Sequence, residues 1–452
     1  MKKKFFYSAA LAGVMAFSVF SPKALAHDEL GKDYIEKGED VGQYEFMGPQ
    51  LEASKNILGW KEAAAVQIQK KNGVQNNTAD VYAHKGYAYL GTHTANGGGG
   101  GVRVFDLKDP SDPKEVAVFA DMPGTWQEKV IVKSVSTPEF TGDLAVVSVQ
   151  KMNRLDQNTT GGFLLYDVTN PEQPKKLGFW STPQNVRGTH ELYLTEQGNR
   201  VLVLTANPYS NFYDKTSHDF NVVDATNPAA PKTVYSFDAS QLEPEYDGYN
   251  FKDKYNQDRV GFAHSVKADG NGSTAYVSFW DMGTLIFDIS KPEKTKFLGR
   301  TEFEKTVQGA AHSSALAKGG NILIETREVS NPKRDGFEYG YGYTRIYDIK
   351  DKTNPKLLSY FKTDASMTEG ARPTFAYTVH DPKVRGNTLY LSHYAAGVRA
   401  LDITNPSSPY ELGYYRPENA YFWGVFVDRN YMLASDMGSG LKVVLKNNGQ
   451  DD

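Results

Sequence analysis

The chain of 452 residues contains no cysteine. Disulfides, a lipid-bearing cysteine and cysteine-based metal sites are excluded, so stability outside a cell has to come from packing. Basic charge is also short, with 50 lysines and arginines against 54 acidic residues. That balance argues against nucleic acid as a partner. Beyond the N-terminal stretch no apolar run approaches the length of a membrane span. His-Glu-x-x-His, a carboxylate-rich cation loop and a Gly-x-Ser-x-Gly elbow are all missing, which leaves the common metalloprotease and serine-hydrolase signatures without support.

What is present begins with an expected export signal over residues 1–26. Lys2, Lys3 and Lys4 precede an apolar run from Phe5 to Phe20, and Ala24-Leu25-Ala26 forms a small-residue cleavage site before His27. Cleavage there removes four lysines and leaves 46 basic residues against 54 acidic ones. The product is expected outside the cytoplasm, whether secreted, periplasmic or on the cell surface. Residues 27–54 are polar and acidic without periodicity, as in a tail or a segment that packs late.

From residue 55 onward the chain repeats. The stretch from Tyr377 to Tyr415 holds four short runs of alternating apolar and β-branched residues, each closed by a turn signal. Its third strand and turn, ALDITNPSSP (400–409), recur upstream as VFDLKDPSDP (104–113), LYDVTNPEQP (165–174), VVDATNPAAP (222–231), IFDISKPEKT (286–295) and IYDIKDKTNP (346–355). A last copy, LKVVLKNNG (441–449), keeps the strand and loses the turn. The first strands register near Ala79, Lys133, His190, His264, His312, His380 and Trp423. Their shortest spacing is 43 residues, from 380 to 423. That is the length of a four-stranded propeller blade, about 40–45 residues. The expectation is an all-β, seven-bladed β-propeller over residues 55–452, a single domain and a monomer. Since the seventh copy lacks a fourth strand, the N-terminus is expected to supply it. Lys55 to Trp60 is the first candidate for this closing strand and Tyr44 to Gly48 the second.

The copy WGVFVDRNYMLASDMGSGLKVV (423–444), together with ALDITNPSSPYELGYY (400–415), resembles the LVIVD-repeat family of exported bacterial propellers. The resemblance covers residues 55 to 449. It implies the propeller fold and export, and it implies no common activity.

Loop lengths separate the two faces of the disc. The first hairpin of each copy and the Asn-Pro turn are short and share one face, while the irregular connectors share the other. Asp269-Gly270-Asn271-Gly272 reads as a hairpin rather than a calcium loop. Residues 239–259 read as a replaceable insertion on the irregular face, where binding and catalysis are expected.

Four of the nine histidines, His190, His264, His312 and His380, fall at the same position in four consecutive copies. In a propeller that position borders the central channel on the loop-rich face. Four imidazoles around one mouth are able to ligate zinc, copper or iron, with His393 and His93 as nearby additions. The same pattern also arises if an ancestral repeat carried a histidine that bonds backbone carbonyls. Lys133, Arg187, Arg259, Trp280, Arg372, Tyr394 and Trp423 join the expected ligand-binding set on this face. The arginines suit an anion, or an ion pair with Glu243, Glu245 or Asp247.

Three functions fit this pattern. One is a ligand-binding propeller for a small molecule, with or without a metal. A second is a metal-dependent oxidoreductase or hydrolase using the same mouth. The third is a surface module that recognises glycan or protein through aromatic loops carrying Tyr209, Phe212, Tyr213, Tyr255 and Tyr343, unless those rings fold inward as a lid.

Overall fold

The computed structural model describes residues 60–68, 77–93, 100–242, 250–304, 310–328, 342–369 and 377–446. Among them, seven antiparallel sheets run radially as the blades of a β-propeller. The innermost strands are Asn77–His84, Val130–Ser136, Glu191–Gln197, Ser265–Ala268, Ala311–Ala317, Pro382–Arg385 and Phe422–Val427, defining blades 1 to 7. Blade 2 carries an additional short strand, Thr125–Trp126, on the loop-rich side of Thr141–Lys151.

Burial follows radius. Second strands such as Thr274–Phe279 are buried along their whole length, because each sheet is sandwiched between its neighbours. Outer strands such as Lys175–Ser181 are half-buried to exposed. The unbroken apolar run of each third strand is therefore a consequence of two-sided packing.

Two residues of the repeat explain its shape. The aspartate that ends the third strand accepts the amide two residues ahead, as Asp167 does from Thr169 (2.9 Å) and Asp288 from Ser290 (2.9 Å). This Asx bond starts the Asn-Pro turn. A glycine opens the same strand in the left-handed region: Gly283 has φ 89° and Gly397 φ 89°. A Cβ on Gly283 would lie 2.4 Å from the carbonyl oxygen of Thr301, at the end of the fourth strand. Only glycine allows this close approach.

The ring is closed by an N-terminal strand, Trp60–Val66, which pairs antiparallel with Gly440–Lys446 from Trp60↔Lys446 to Val66↔Leu441. The expected span Lys55 to Trp60 is thus corrected to one that begins at Trp60. Its other residues, and Tyr44 to Gly48, lie outside the described residues. The outer-strand bulge sits between Glu62 and Ala64, where blade 2 has it between Lys176 and Gly178. Ala64 thus occupies the position that Gly178 holds in blade 2, five residues beyond Gly59. The seam is also held by the Thr78 hydroxyl, which donates to the carbonyl of Asp436 (2.8 Å).

The hairpin at Asp269 is confirmed, with its carboxylate accepting the amides of Ser273 (2.8 Å) and Thr274 (3.1 Å). The insertion 239–259 is not a bare loop. It includes a short helical turn, Ala239–Gln241, and a hairpin of Asn250–Lys252 with Asp258–Val260. Phe251 packs into the core of blades 3 and 4 beside Phe237, Phe279 and Met282.

Candidate metal centre

Four imidazoles that are far apart in sequence meet on the propeller axis. His190 and His264 directly precede the inner strands of blades 3 and 4, His312 lies at the start of that of blade 5, and His380 stands two residues before that of blade 6. Ring centroids are 4.6 Å apart from His190 to His264, 4.0 Å from His264 to His312 and 4.4 Å from His312 to His380. Trp423 of blade 7 continues the arc 4.4 Å from His380, followed by His93 at 5.3 Å. All of these rings are buried. The expected mouth is therefore roofed by its own lining.

Radial repetition produces the cluster. Each copy delivers its residue at the same height and radius, so the residues crowd together where the blades converge. The register also corrects one member of the set. In blade 2 the strand pairing places Glu128 at the histidine level, with its carboxylate 2.9 Å from Nδ1 of His190. Lys133 instead lies well inside the inner strand, with its ammonium 5.3 Å from the centre of the Tyr193 ring.

Hydrogen bonds orient the rings. Nδ1 of His264 contacts the carbonyl of His312 (3.2 Å), and Nδ1 of His312 contacts that of His380 (3.0 Å). Nδ1 of His190 lies 2.9 Å from Oε1 of Gln150 as well as beside Glu128. A carbonyl only accepts, so Nδ1 carries the proton in His264 and His312, and the acceptors around His190 select the same tautomer. Each Nε2 then presents its lone pair inward. Nε2 of His190 and Nε2 of His264 meet at 3.2 Å, and Nε2 of His312 lies 3.3 Å from Oε2 of Glu328. Ligand atoms of His264, His312 and Glu328 all lie within 4.8 Å of one another, the one such group among the described residues.

Glu328 follows the second strand of blade 5, Ile322–Arg327, and is fully buried. The Tyr394 hydroxyl donates to its Oε1. Burial and this carboxylate hold the Tyr394 phenol well above its usual range, so it stays a proton donor. Oε2 of Glu328 is left turned towards His312.

Comparison with known proteins bears on the fold. The family model described as LVIVD repeat matches residues 260–301 and 378–416, which are blades 4 and 6. The chain carries LVIVD repeats. Among solved structures, Raptor from Chaetomium thermophilum is similar at 12% identity and a TM-score of 0.56, covering 94% of this chain and 36% of that one. The chain thus spans about a third of that protein's length, and the likeness is one of fold. The computationally designed Ika8 protein matches at 11% identity over 85% of this chain and 99% of its own, with a TM-score of 0.45, too low to carry an argument. No curated protein matches the chain.

Elsewhere in the LVIVD-repeat propeller the expected site residues disperse. His380 supplies its carbonyl to His312 and stands outside the ligand group. His393 places Nδ1 3.2 Å from the carbonyl of Tyr377, and burial pushes its imidazole down to about 3, hence neutral. His93 stacks on Trp126 at 4.1 Å, away from the ligand group. Arg187 is buried and donates to the carbonyls of Lys151 (3.3 Å) and Met152 (3.1 Å). Arg259 pairs with Asp253 at 2.9 Å, while Glu243, Glu245 and Asp247 lie outside the described residues. Trp280 stacks on Phe262, at 5.0 Å, and borders His264, at 5.3 Å. Arg372 lies outside the described residues. Of the aromatic loop residues, Tyr209, Phe251 and Tyr343 are buried and Tyr255 is exposed.

Glu128 and Glu328 were not among the expected ligands. Glu128 was legible in principle, five residues before Lys133, once the register of copy two is counted from its hairpin. Glu328 has no repeat signal, because no other copy carries a carboxylate there.

Proposed function

We propose that the protein is an exported binding propeller in which a divalent transition-metal ion, zinc foremost, is held by Nε2 of His190, His264 and His312 and by the Glu328 carboxylate. The contact between Nε2 of His190 and Nε2 of His264 carries this reading. With both Nδ1 atoms donating, two lone pairs face each other at 3.2 Å, a repulsive contact that a shared cation turns into ligation. Ligands about 2.0–2.1 Å from a tetrahedral zinc stand roughly 3.3 Å from one another. The carbonyls behind His264 and His312 are the outer partners that zinc-bound imidazoles normally have.

Nε2 of His190 lies outside the group formed by His264, His312 and Glu328 but 3.2 Å from Nε2 of His264, and as a fourth ligand it would close the coordination. That supports a structural ion joining blades 3, 4 and 5 over an enzyme, and leaves the loop-rich face for small-molecule, glycan or protein recognition. The first amino acids read as an export signal, and among the described residues no helix is long and apolar enough to cross a membrane.

Metal analysis of mature protein purified without chelators tests the reading. The expected result is close to one zinc per chain, lost in His264→Ala and kept in His218→Ala. Copper or iron on the same ligands would appear in the absorption spectrum. Metal-free protein whose melting temperature ignores added zinc and copper would overturn the proposal and favour recognition by the aromatic loops.

A further inference from the structure

Below the histidine roof, the inner strands enclose a cavity of about 220 Å³ on the propeller axis. Its wall is charged in a particular order. Lys129 is shared between Asp80 (2.9 Å) and Glu191 (3.1 Å), and Lys383 is paired with Asp381 (2.5 Å). Lys267 of blade 4 also faces the cavity, yet among the described residues no carboxylate reaches it. Its ammonium instead sits over the Tyr193 ring, 4.6 Å from the centroid. Ser265, two residues before it, and Ser314 in blade 5 line the same space, their hydroxyls likewise without a protein acceptor among the described residues. Three donors on adjacent blades thus border one cavity without a bonded acceptor of their own. Across the cavity Ile131, Phe426 and Val427 are apolar, with Asp80 and Tyr82 of blade 1 between them.

We infer that this cavity binds a small organic carboxylate, whose anionic head is taken by Lys267, Ser265 and Ser314 and whose short apolar body lies against Ile131 and Phe426. A charged donor with hydroxyls on either side is the usual recognition of a carboxylate, and such bonds are about twice as strong as neutral ones. Lys129 and Lys383 engage the carboxylates of the wall, leaving Oδ1 of Asp80 as the acceptor without a hydrogen bond. Burial, with Lys383 and Lys129 nearby, pushes the Lys267 amine down to about 7, although Asp381 and Asp80 act the other way. An arriving anion restores its charge. The inference does not rest on the metal reading.

Calorimetric titration of the mature protein with butyrate, benzoate and inorganic phosphate tests it. Butyrate or benzoate is expected to bind at pH 8 with net proton uptake, seen as heats that vary with the ionisation enthalpy of the buffer. Phosphate, lacking an apolar body, is expected to bind about tenfold more weakly. Lys267→Met is expected to weaken carboxylate binding by about tenfold or more, and Lys267→Arg to retain it without proton uptake. The parent protein stripped of metal by a chelator is expected to bind as the untreated protein does. Equal affinity in Lys267→Met, tighter binding of phosphate, or loss of binding on chelation would each overturn the inference, the last by placing the anion on the histidines.

Discussion

Nδ1 of His264 donates to the main-chain carbonyl of His312, so the ring of one blade is aimed by the backbone of the next. His312 is held in the same way by His380. The two ring nitrogens therefore have separate tasks, and the side chains of the run are not equivalent.

This separation predicts a graded mutational series. His264→Ala or His312→Ala removes a ligand and is expected to lower metal affinity by about 10–100-fold or more. His380→Ala keeps the carbonyl and is expected to lower it far less. Affinity in the parent is expected to fall as pH is lowered, because ligation needs neutral imidazole. Competition with a chromophoric chelator across pH measures all of these. Equal losses at His380 and His264 would contradict the assignment.

Closure gives a second prediction. Removing residues 27–66 deletes the strand that pairs with Gly440–Lys446 and leaves an open edge on blade 7. The melting temperature is expected to fall sharply and the protein to associate through that edge. Removing only residues 27–40 is expected to change little, since that acidic stretch has no strand pattern. Thermal unfolding and light scattering distinguish the two.

The insertion over 239–259 gives a third. Phe251 is buried among Phe237, Phe279 and Met282, so Phe251→Ala is expected to cost about 3 kcal/mol in chemical denaturation. A Gly-Ser connector in place of 239–259 is expected to destabilise similarly or more. Unfolding at the parent midpoint in both would show that the hairpin is dispensable.

A fourth concerns pH and His218, whose Nδ1 contacts the carboxylate of Asp238. That hydrogen bond raises the imidazole above its ordinary value of 6.5, against partial burial. The stabilisation is fully present below about 6.5, where the unfolded chain is also protonated, and is lost as pH rises through the higher folded value. Asp219, pushed up to about 7 by burial and Asp238, acts in the same direction. Its folded form holds a proton that the unfolded form has lost, so stability falls as pH approaches 7. The stability difference between parent and His218→Ala is expected to be largest near pH 5 and to shrink towards pH 9. A difference that grows with pH would contradict the pairing.

The sequence by itself determined the architecture. A third strand that ends in Asp and runs into an Asn-Pro turn encodes its own bend, through the bond from Asp167 to Thr169 and its counterparts. The glycine at its head encodes the approach to the neighbouring strand, as at Gly283. Such features act within a few residues or across one strand pair, so they survive in one dimension and repeat visibly. The histidine register was legible for the same reason, since one position per copy becomes one ring around the axis. Tertiary structure decided the rest. Which strand closes blade 7 depends on where an outer-strand bulge falls, and a WKEAAAV run shows no more preference for that register than KNILGW does. Glu328 joins the histidines only because the position after Arg327 falls beside His312 of the neighbouring strand. Lys267 is left without a carboxylate because Lys129 reaches Asp80 and Glu191 on the blades to either side and Lys383 takes Asp381 of its own blade. Charge pairing across an axis is settled by distances between strands of different blades, and no local pattern in the chain records those distances.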